Sequence, residues 1–395
     1  MPDPLARVNT LYDADHAAFR DTVRSYGSRV VEPALAAWED AGIIDRSAYL
    51  AAGDAGLLGL DAPTVLGGGG VRDFRYKSII AEELARIGAN SLLSSISLHN
   101  DVILPYLIDD ASREQQQKYI PGCCSGELIG AICMTEPGTG SDLRGIRTTA
   151  RVDGDEWVLN GSKTFITSGI HCDFAMVVAR TDDADRGGGL SLIVVDAGTA
   201  GFEKGRKLDK IGQRTQDTAE LHFDEVRVPL SNLIGERGQA ITMLTGHLPQ
   251  ERLTIAVTAI ATATQAIRWA LDFVADRNAF GKPLVDFQTV QFTLAELATE
   301  LDVARAYVDT CMLALDEGRL TPVQAAKAKW WATEMQKRVV DRSLQLFGGY
   351  GYMLEYPIAR SYIDSRVATI YGGTTEIMKH IIGRDLRSWA RRASR

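Results

Sequence analysis

The segment AICMTEPGTGSD, residues 131–142, combines small and hydroxyl-bearing residues in a way that suits ligand binding. The hydroxyls of Thr135 and Ser141 stand beside the glycines Gly138 and Gly140. Glycines let a ligand approach the backbone closely, and hydroxyl and N–H groups can bond a polar heterocycle or a phosphate. The structural alternative is a glycine-rich turn between strands. The segment lacks the GxGxxG pattern that opens a helix in dinucleotide-binding folds, which argues against a Rossmann nicotinamide site.

A second candidate is the carboxylate of Glu251 in the segment LPQER, residues 248–252. On a helix, Glu251 shares one face with Thr254 and Thr258, a semi-polar stripe that could border a cavity. A carboxylate in that position can act as a general base. The alternative is an ordinary charge near the start of a helix that begins or kinks at Pro249.

Composition and charge exclude several functional classes. The chain has 395 residues, of which 45% are hydrophobic, so it should bury two or three packed units. A net charge of −8 argues against general binding to nucleic acids or anionic membranes. The first residues lack a signal-peptide pattern, and no apolar run reaches the roughly 20 residues that span a bilayer. We expect a cytoplasmic protein without a membrane segment.

The cysteines form neither CxxC pairs nor a His/Cys metal-ligand spacing. They are Cys123, Cys124, Cys133, Cys172 and Cys311. We therefore predict reduced, mostly buried thiols and no metal site.

Helical patterns fill the first third of the chain. Asp13 and Asp15 are cap candidates for a first helix, and Asp73 and Gly88 bracket a second. Ser112 and Gln115 form a capping box, and we expect Pro121 to stop the helix that follows it.

The periodicity becomes that of strands near residue 128 and returns to helical after Gly235. Within the strand region, Asp153-Gly154 and Asn160-Gly161 are typical hairpin-turn dipeptides. The sequence thus predicts an α+β protein of three domains. They are residues 1–128 (helical), 129–235 (β) and 236–395 (a helical bundle).

Six segments, in this order, resemble the acyl-CoA dehydrogenase family between residues 11 and 387. They are AICMTEPGTGSD, NGSKTFITSG (160–169), LPQER, RNAFGKPLVDFQTVQ (277–291), QLFGGYGY (345–352) and IYGGTTE (370–376). The resemblance implies an N-terminal helical domain, a central β-barrel-like domain and a C-terminal four-helix bundle. It also implies FAD bound without a Rossmann fold, and a homotetramer.

The resemblance assigns FAD contacts to several segments, with Thr135 and Thr167 on the edge of the flavin ring and Arg277 on the pyrophosphate of a neighbouring subunit. The full set is Ile132, Met134, Thr135, Gly140, Ser141, Phe165, Ile166, Thr167, Arg277, Phe280, Gln288, Gln345, Leu346, Phe347, Gly348, Gly349, Thr374, Thr375 and Glu376. The family often has an aromatic residue at position 132 and tryptophan at 165, so stacking on the flavin differs here.

The implied reaction removes the α-proton of an acyl-CoA thioester while the β-hydride passes to flavin N5, giving the trans-2-enoyl-CoA. Many members take the base from the position of Gly372, whose backbone N–H also polarises the thioester carbonyl. A subgroup with the long-chain and isovaleryl enzymes takes the base from the position of Glu251, and glycine at 372 leaves room for that carboxylate. Glu376 and Glu355 are rival carboxylates. The implied substrate contacts are Ser141, Pro249, Gln250, Glu251, Arg252, Gly372 and Gly373.

The resemblance further implies electron transfer to an electron-transfer flavoprotein. Several alternatives stay open at the level of sequence. The acyl chain could be carried by an acyl-carrier protein, or the electrons could pass to O₂. A flavin monooxygenase of the same fold needs no base such as Glu251. A non-catalytic partner in a mixed tetramer would not need the intact flavin segments.

Overall fold

The structure is a computed structural model that describes residues 4–7, 11–181 and 189–393. The helices of this part are α1 (Ala14–Tyr26), α2 (Leu35–Ala41), α3 (Ser47–Asp54), α4 (Phe74–Arg86), α5 (Asn90–Leu98), α6 (Leu104–Asp109), α7 (Arg113–Ser125), α8 (Ala240–Asp276), α9 (Gln288–Asp316), α10 (Pro322–Leu346), α11 (Pro357–Ser365) and α12 (Thr375–Ala393). The strands are β1 (Gly130–Cys133), β2 (Thr149–Asp153), β3 (Glu156–Thr167), β4 (Phe174–Arg180), β5 (Leu190–Asp196), β6 (Phe202–Lys207), β7 (Thr218–Pro229), β8 (Leu233–Ile234), β9 (Asn278–Ala279) and β10 (Lys282–Pro283). The sequence-based domain boundaries fall between α7 and β1 and between β8 and α8.

The predicted helix starts in the first third are confirmed. The carboxylate of Asp13 accepts from the backbone N–H of His16 at 3.1 Å, and Asp73 caps α4 through the N–H of Arg75 at 3.0 Å. The capping box of Ser112 and Gln115 opens α7. Each cap satisfies backbone donors that the first helical turn leaves without partners.

The prediction that Pro121 ends its helix is wrong, because α7 continues through it to Ser125. A proline inside a helix removes one backbone donor and costs about 3 kcal/mol, but tertiary packing can offset that cost. Here Tyr119, Ile120 and Cys123 are buried on the same helix. The helix ends instead at Gly126, which adopts a left-handed φ of 79°.

The central domain is an eight-stranded sheet with the order β6-β7-β3-β2-β4-β5-β8, and β1 pairs in parallel with β4. The predicted turn at Asp153-Gly154 joins β2 to β3, with Gly154 at a φ of 66°. The turn predicted at Asn160-Gly161 is wrong, because β3 runs straight on through a bulge. A Cβ at Gly161 would lie 2.4 Å from Oγ1 of Thr148, so close strand packing accounts for this glycine.

The third domain is built on α8, a helix of 37 residues that contains Pro249 in its interior. Its buried face includes Leu253, Val257 and Ile260, which share one hydrophobic cluster with residues of α4, α9 and α10. A second cluster joins α6, α7, β1 and β4 to the first turns of α8. The two clusters hold all three domains along α8, and this helix therefore determines how they meet.

All five cysteines are free and buried, as expected. No helix in the described part of the chain is both long enough and apolar enough to cross a bilayer. Across these residues the structure also contains no group of three or more His, Cys, Asp or Glu side chains able to hold a metal ion.

Candidate active site

Glu251 lies in the first half of α8, just after Pro249, and is only 7% exposed. Tyr106, on α6 of the N-terminal domain, donates its hydroxyl to Oε1 of Glu251 at 3.0 Å. Among the described residues this is the only hydrogen bond that the Glu251 carboxyl group makes. The second oxygen, Oε2, has no protein partner there and is available to accept a proton.

The protonation of Glu251 is set by burial. Loss of hydration raises the pKa of Glu251 to about 7, while the Tyr106 hydroxyl and the charges of His247 and Arg252 act in the opposite direction. A general base works best when its pKa lies near the working pH, because it is then both ionised and basic enough. Glu251 meets that condition.

His247 lies one helical turn before Glu251 and extends the same cluster. The imidazole packs on the Tyr106 ring with the ring centroids 4.3 Å apart. Its Nε2 lies 2.6 Å from Oδ2 of Asp110, just beyond the end of α6. Two helices from different domains are thereby joined beside the carboxyl group of Glu251.

The loop that carries Gly372 is held against the same part of α8. Nε of Arg252 donates to the carbonyl of Gly372 at 3.3 Å, and Nζ of Lys329 donates to the carbonyl of Gly373 at 2.6 Å. Gly372 and Gly373 have φ values of 61° and 94°, where other residues are strained. Burial lowers the pKa of Lys329 to about 8. The two cations fix the orientation of consecutive peptide groups in this loop.

The space beside Gly372 differs from the expectation. A Cβ at this position would lie 2.4 Å from Cδ1 of Ile255, which is one turn after Glu251 on α8. The side chain that takes the room left by glycine is therefore Ile255 and not the carboxylate of Glu251. The φ favours glycine at this position, and a Cβ there would also displace Cδ1 of Ile255.

The two segments predicted to contact the flavin ring are brought together. The backbone N–H of Thr164 donates to the carbonyl of Thr135 at 2.9 Å, which sets the end of β1 beside the end of β3. Ile132 is buried, Met134 and Thr135 are half-buried, and Ile166 and Thr167 continue β3. Phe165 is 68% exposed and has a φ of 58°, so its ring is directed out of the sheet.

A buried ion pair packs against this junction. Nζ of Lys163 lies 2.9 Å from Oε1 of Glu136 and also donates to the carbonyl of Met134 at 3.2 Å. The exposed loop that follows contains Gly138, Gly140 and Ser141. A side chain at Gly138 would meet nothing in the chain, and one at Gly140 would only touch Thr135 at 3.9 Å. Internal packing does not require these glycines, whereas close approach of a ligand would.

A third group of predicted FAD residues lies around a separate cavity of about 450 Å³. The cavity is lined by Phe273, Arg277, Leu284, Leu346, Phe347, Gly348, Gly349, Tyr350 and Met353. The guanidinium of Arg277 lies 5.6 Å from the centre of the Tyr350 ring. Phe280, at the tip of the β9–β10 hairpin, is 97% exposed with a φ of 51°. Gln288 and Gln345 are exposed at the start of α9 and near the end of α10.

The remaining predicted FAD contacts begin α12. Thr374 precedes the helix, and the hydroxyl of Thr375 donates to Oε1 of Glu334 at 2.9 Å. Glu376 is exposed, and hydrogen bonds from its own backbone N–H and from the Thr374 hydroxyl lower its pKa. Glu355 is also exposed. Both rival carboxylates lack the burial that makes Glu251 a suitable base.

Two separate groups of these residues each fit a different part of FAD. The β1–β3 junction offers backbone groups, threonine hydroxyls and the exposed ring of Phe165 to a planar heterocycle. The cavity at Arg277 places a cation beside a glycine-rich turn, which suits a phosphate group. Two exposed aromatic residues in the left-handed region, Phe165 and Phe280, are what one expects where a ligand or a second subunit covers the surface.

Sequence reasoning missed Tyr106, His247 and Lys329. His247 stands four residues before Glu251, a spacing that places the two on one helical face and could have been noticed. Tyr106 is 145 residues from Glu251, so no local pattern connects them. Lys329 looks like any lysine in a helical segment, and only the fold shows that it is fully buried.

Comparison with known proteins gives a consistent result across the chain. Models described as acyl-CoA dehydrogenase N-terminal, middle and C-terminal domains match residues 13–127, 131–226 and 236–387. A long-chain specific mitochondrial acyl-CoA dehydrogenase of Sus scrofa is 45% identical over 381 residues, covering 96% of this chain and 88% of that protein.

Solved structures show the same fold. An acyl-CoA dehydrogenase from Geobacillus kaustophilus has a TM-score of 0.92 and 46% identity, with 95% of this chain and 98% of the other covered. A glutaryl-CoA dehydrogenase from Mycobacterium smegmatis, in complex with FADH2, has a TM-score of 0.90 and 27% identity, with 97% of each chain covered.

Proposed function

This chain belongs to the acyl-CoA dehydrogenase family, and from that premise we propose that Glu251 is the base with which it dehydrogenates an acyl-CoA. It is an FAD-dependent enzyme that converts an acyl-CoA thioester to the α,β-unsaturated product. The observation that carries the proposal is the buried carboxyl group of Glu251, with its pKa near 7 and one oxygen without a protein partner.

Different residues of the chain have different roles in the reaction. Oε2 of Glu251 takes the α-proton. The N–H of Gly372 polarises the thioester carbonyl, an effect worth about 3 kcal/mol per donor. Its loop is held in place because Arg252 and Lys329 bind the carbonyls of Gly372 and Gly373. Bound FAD would supply the acceptor for the β-hydride. Thr135 and Thr167 offer their polar groups at the edge of that cofactor.

Replacing Glu251 with glutamine tests this role. Glu251→Gln keeps the size of the side chain and an acceptor for Tyr106 but cannot take a proton. Flavin and thioester should still bind, while the rate of flavin reduction should fall by about 10² to 10⁴-fold. The measurement is anaerobic flavin bleaching after mixing with a panel of saturated acyl-CoAs of different chain length.

The matched control is Glu355→Gln, which removes an exposed rival carboxylate outside the implied FAD and substrate contacts and should leave the rate within about two-fold of the wild type. A Glu251→Gln enzyme that bleaches at the wild-type rate would rule out the proposal. In that case a Glu376→Gln variant shows whether Glu376 is the base.

We further propose membership of the subgroup that takes its base from this helix, and a homotetramer that passes its electrons to an electron-transfer flavoprotein. Exposed apolar side chains such as Phe280 and Phe292 support an assembly. The five free cysteines support a reducing, cytoplasmic location. Sedimentation of the purified protein and fractionation of cells test these points.

A further inference from the structure

Tyr106 has features that a merely packed aromatic residue does not need. Its side chain is completely buried between α6 and α8, and its hydroxyl points at Oε1 of Glu251. Burial raises the pKa of Tyr106 well above its usual value, and the charge of Glu251 adds to this. The phenol therefore stays protonated and acts as a donor at every pH at which the enzyme works.

A donor of this kind distinguishes the two protonation states of its partner. An ionised carboxylate accepts a hydrogen bond from a phenol more strongly than a neutral carboxyl group does. The bond therefore favours the ionised form against the burial that disfavours it. It also engages one lone pair of Oε1, which leaves Oε2 as the oxygen without a protein partner and the better placed to take the proton.

The Tyr106 ring is itself held in place from the surface side. His247 packs against the ring at 4.3 Å, and Asp110 holds the imidazole at 2.6 Å. The charged or titratable groups that surround Tyr106 and Glu251 are Asp110, His247, Arg252, Asp101 and Lys329. Asp101 is engaged by Thr254 at 3.0 Å and by Lys77 at 3.1 Å, and Lys329 by Gly373. Of the described residues around Glu251, Tyr106 is the one that hydrogen-bonds its carboxyl group directly.

We propose that Tyr106 is a positioning residue of the reaction, which fixes Oε1 of Glu251, directs Oε2 to the α-proton, and keeps the carboxylate ionised near neutral pH. The inference rests on the proposed role of Glu251 as the base. It adds that an N-terminal helix, and not only the helix of the base, sets the pH at which the enzyme becomes active.

Tyr106→Phe is the direct test, because it removes only the hydroxyl and keeps the ring against His247. The rate constant of flavin bleaching by a saturated acyl-CoA is measured from pH 5.5 to 9.5, roughly the range over which a carboxyl group near neutrality titrates. The midpoint of the pH profile should move up by about one pH unit, and the rate below the midpoint should fall about ten-fold. At the alkaline end the rate should return to within about three-fold of the wild type.

The control is Tyr119→Phe. Tyr119 is also a buried tyrosine with a carboxylate partner, since its hydroxyl donates to Oδ1 of Asp196 at 2.8 Å, but it lies on α7 away from Glu251. This variant loses the same chemical group, and its pH midpoint should equal that of the wild type.

A second substitution at position 106 should shift the pH midpoint in the opposite direction. A ring-fluorinated tyrosine at position 106 is a stronger donor of nearly the same size, so the midpoint should move to lower pH. It also decides the matter if the phenylalanine variant does not fold.

Two results would overturn the inference. One is an unchanged midpoint in both Tyr106 variants, and the other is an equal loss of rate at all pH values, which would assign Tyr106 a packing role. Neither result touches the base itself. If Glu251→Gln bleaches normally, the proposed function fails instead, whatever Tyr106 does.

Discussion

A carboxyl group whose pKa rises on folding destabilises the protein whenever it is ionised. The ionised form of Glu251, which the proposed reaction needs, therefore lowers the stability of the fold. Its pKa rises from 4.5 to about 7, which corresponds to about 3 kcal/mol. The free energy of unfolding is not reduced by this group below pH 4.5. It falls as the pH rises towards 7 and stays lower above that pH.

Glu251→Gln should therefore stabilise the protein at alkaline pH while it slows flavin reduction by about 10² to 10⁴-fold. The free energy of unfolding, measured with urea at about pH 8.5 and about pH 5, should increase by up to 3 kcal/mol at the higher pH and by much less at the lower one. Glu376→Gln, at an exposed position, is the control and should show no such gain. An equal effect of Glu251→Gln at both pH values would contradict the burial of its charge.

The residues of the site differ in how far sequence could predict them. Glu251 was accessible because the chain around it matches a family motif. Tyr106 was not, because the hydrogen bond that makes it relevant joins two helices of different domains. Burial of Lys329 was not accessible either, since an isolated lysine in a helical pattern is normally solvated.

At the scale of elements, the loop at Gly372 meets the helix α8 at Cδ1 of Ile255, in addition to the hydrogen bond from Arg252. Gly372→Ala should both strain a φ of 61° and press on that atom, and we expect a loss of about 1 to 3 kcal/mol together with slower flavin reduction. Ile255→Val removes Cδ1, so the double variant should recover part of the loss. The measurements are thermal unfolding and the bleaching rate.

The control for this series is Gly383→Ala in α12, where an added Cβ meets nothing. It should stabilise the helix by about 0.5 to 1 kcal/mol. If Gly372→Ala is as well tolerated as Gly383→Ala, the loop is more adaptable than its contacts indicate. The same contact bears on a transfer of the base to position 372 by Glu251→Gly with Gly372→Glu, which should need Ile255→Val as a third change.

The elements themselves were predicted where local chemistry decides them. Caps such as Asp73 and the turn at Gly154 depend on neighbouring residues, and both were predicted correctly. Pro121 and Asn160-Gly161 failed because distant contacts override the local preference. In the second case, Asn160 exchanges hydrogen bonds of 2.7 and 2.9 Å with Glu225 on β7, and this pair holds the strand through its bulge.

At the scale of the whole molecule, the chain carries two separate sets of groups that fit FAD. The β1–β3 junction suits the flavin ring, and the cavity at Arg277 suits phosphate groups. In the proposed homotetramer, these phosphates would belong to an FAD held by a neighbouring chain. The hairpin β9–β10 carries Phe280, almost fully exposed, beyond that cavity. Neither the number of chains nor their arrangement follows from local sequence patterns. The exposure and left-handed conformation of Phe280 could likewise be seen only in the fold.

Phe280→Ser should weaken both assembly and FAD binding. If a neighbouring chain covers the ring, the variant loses its apolar contact and the cofactor loses part of its site. The expected result is a smaller species in sedimentation at low protein concentration and release of FAD on dilution, with the fold unchanged by circular dichroism. The control is Val65→Ser, since Val65 is 89% exposed in the N-terminal domain, and this variant should keep its FAD and its size. Full retention of FAD and of assembly by Phe280→Ser would show that the hairpin is not part of a shared site, and the cavity at Arg277 would then have to serve the FAD of its own chain.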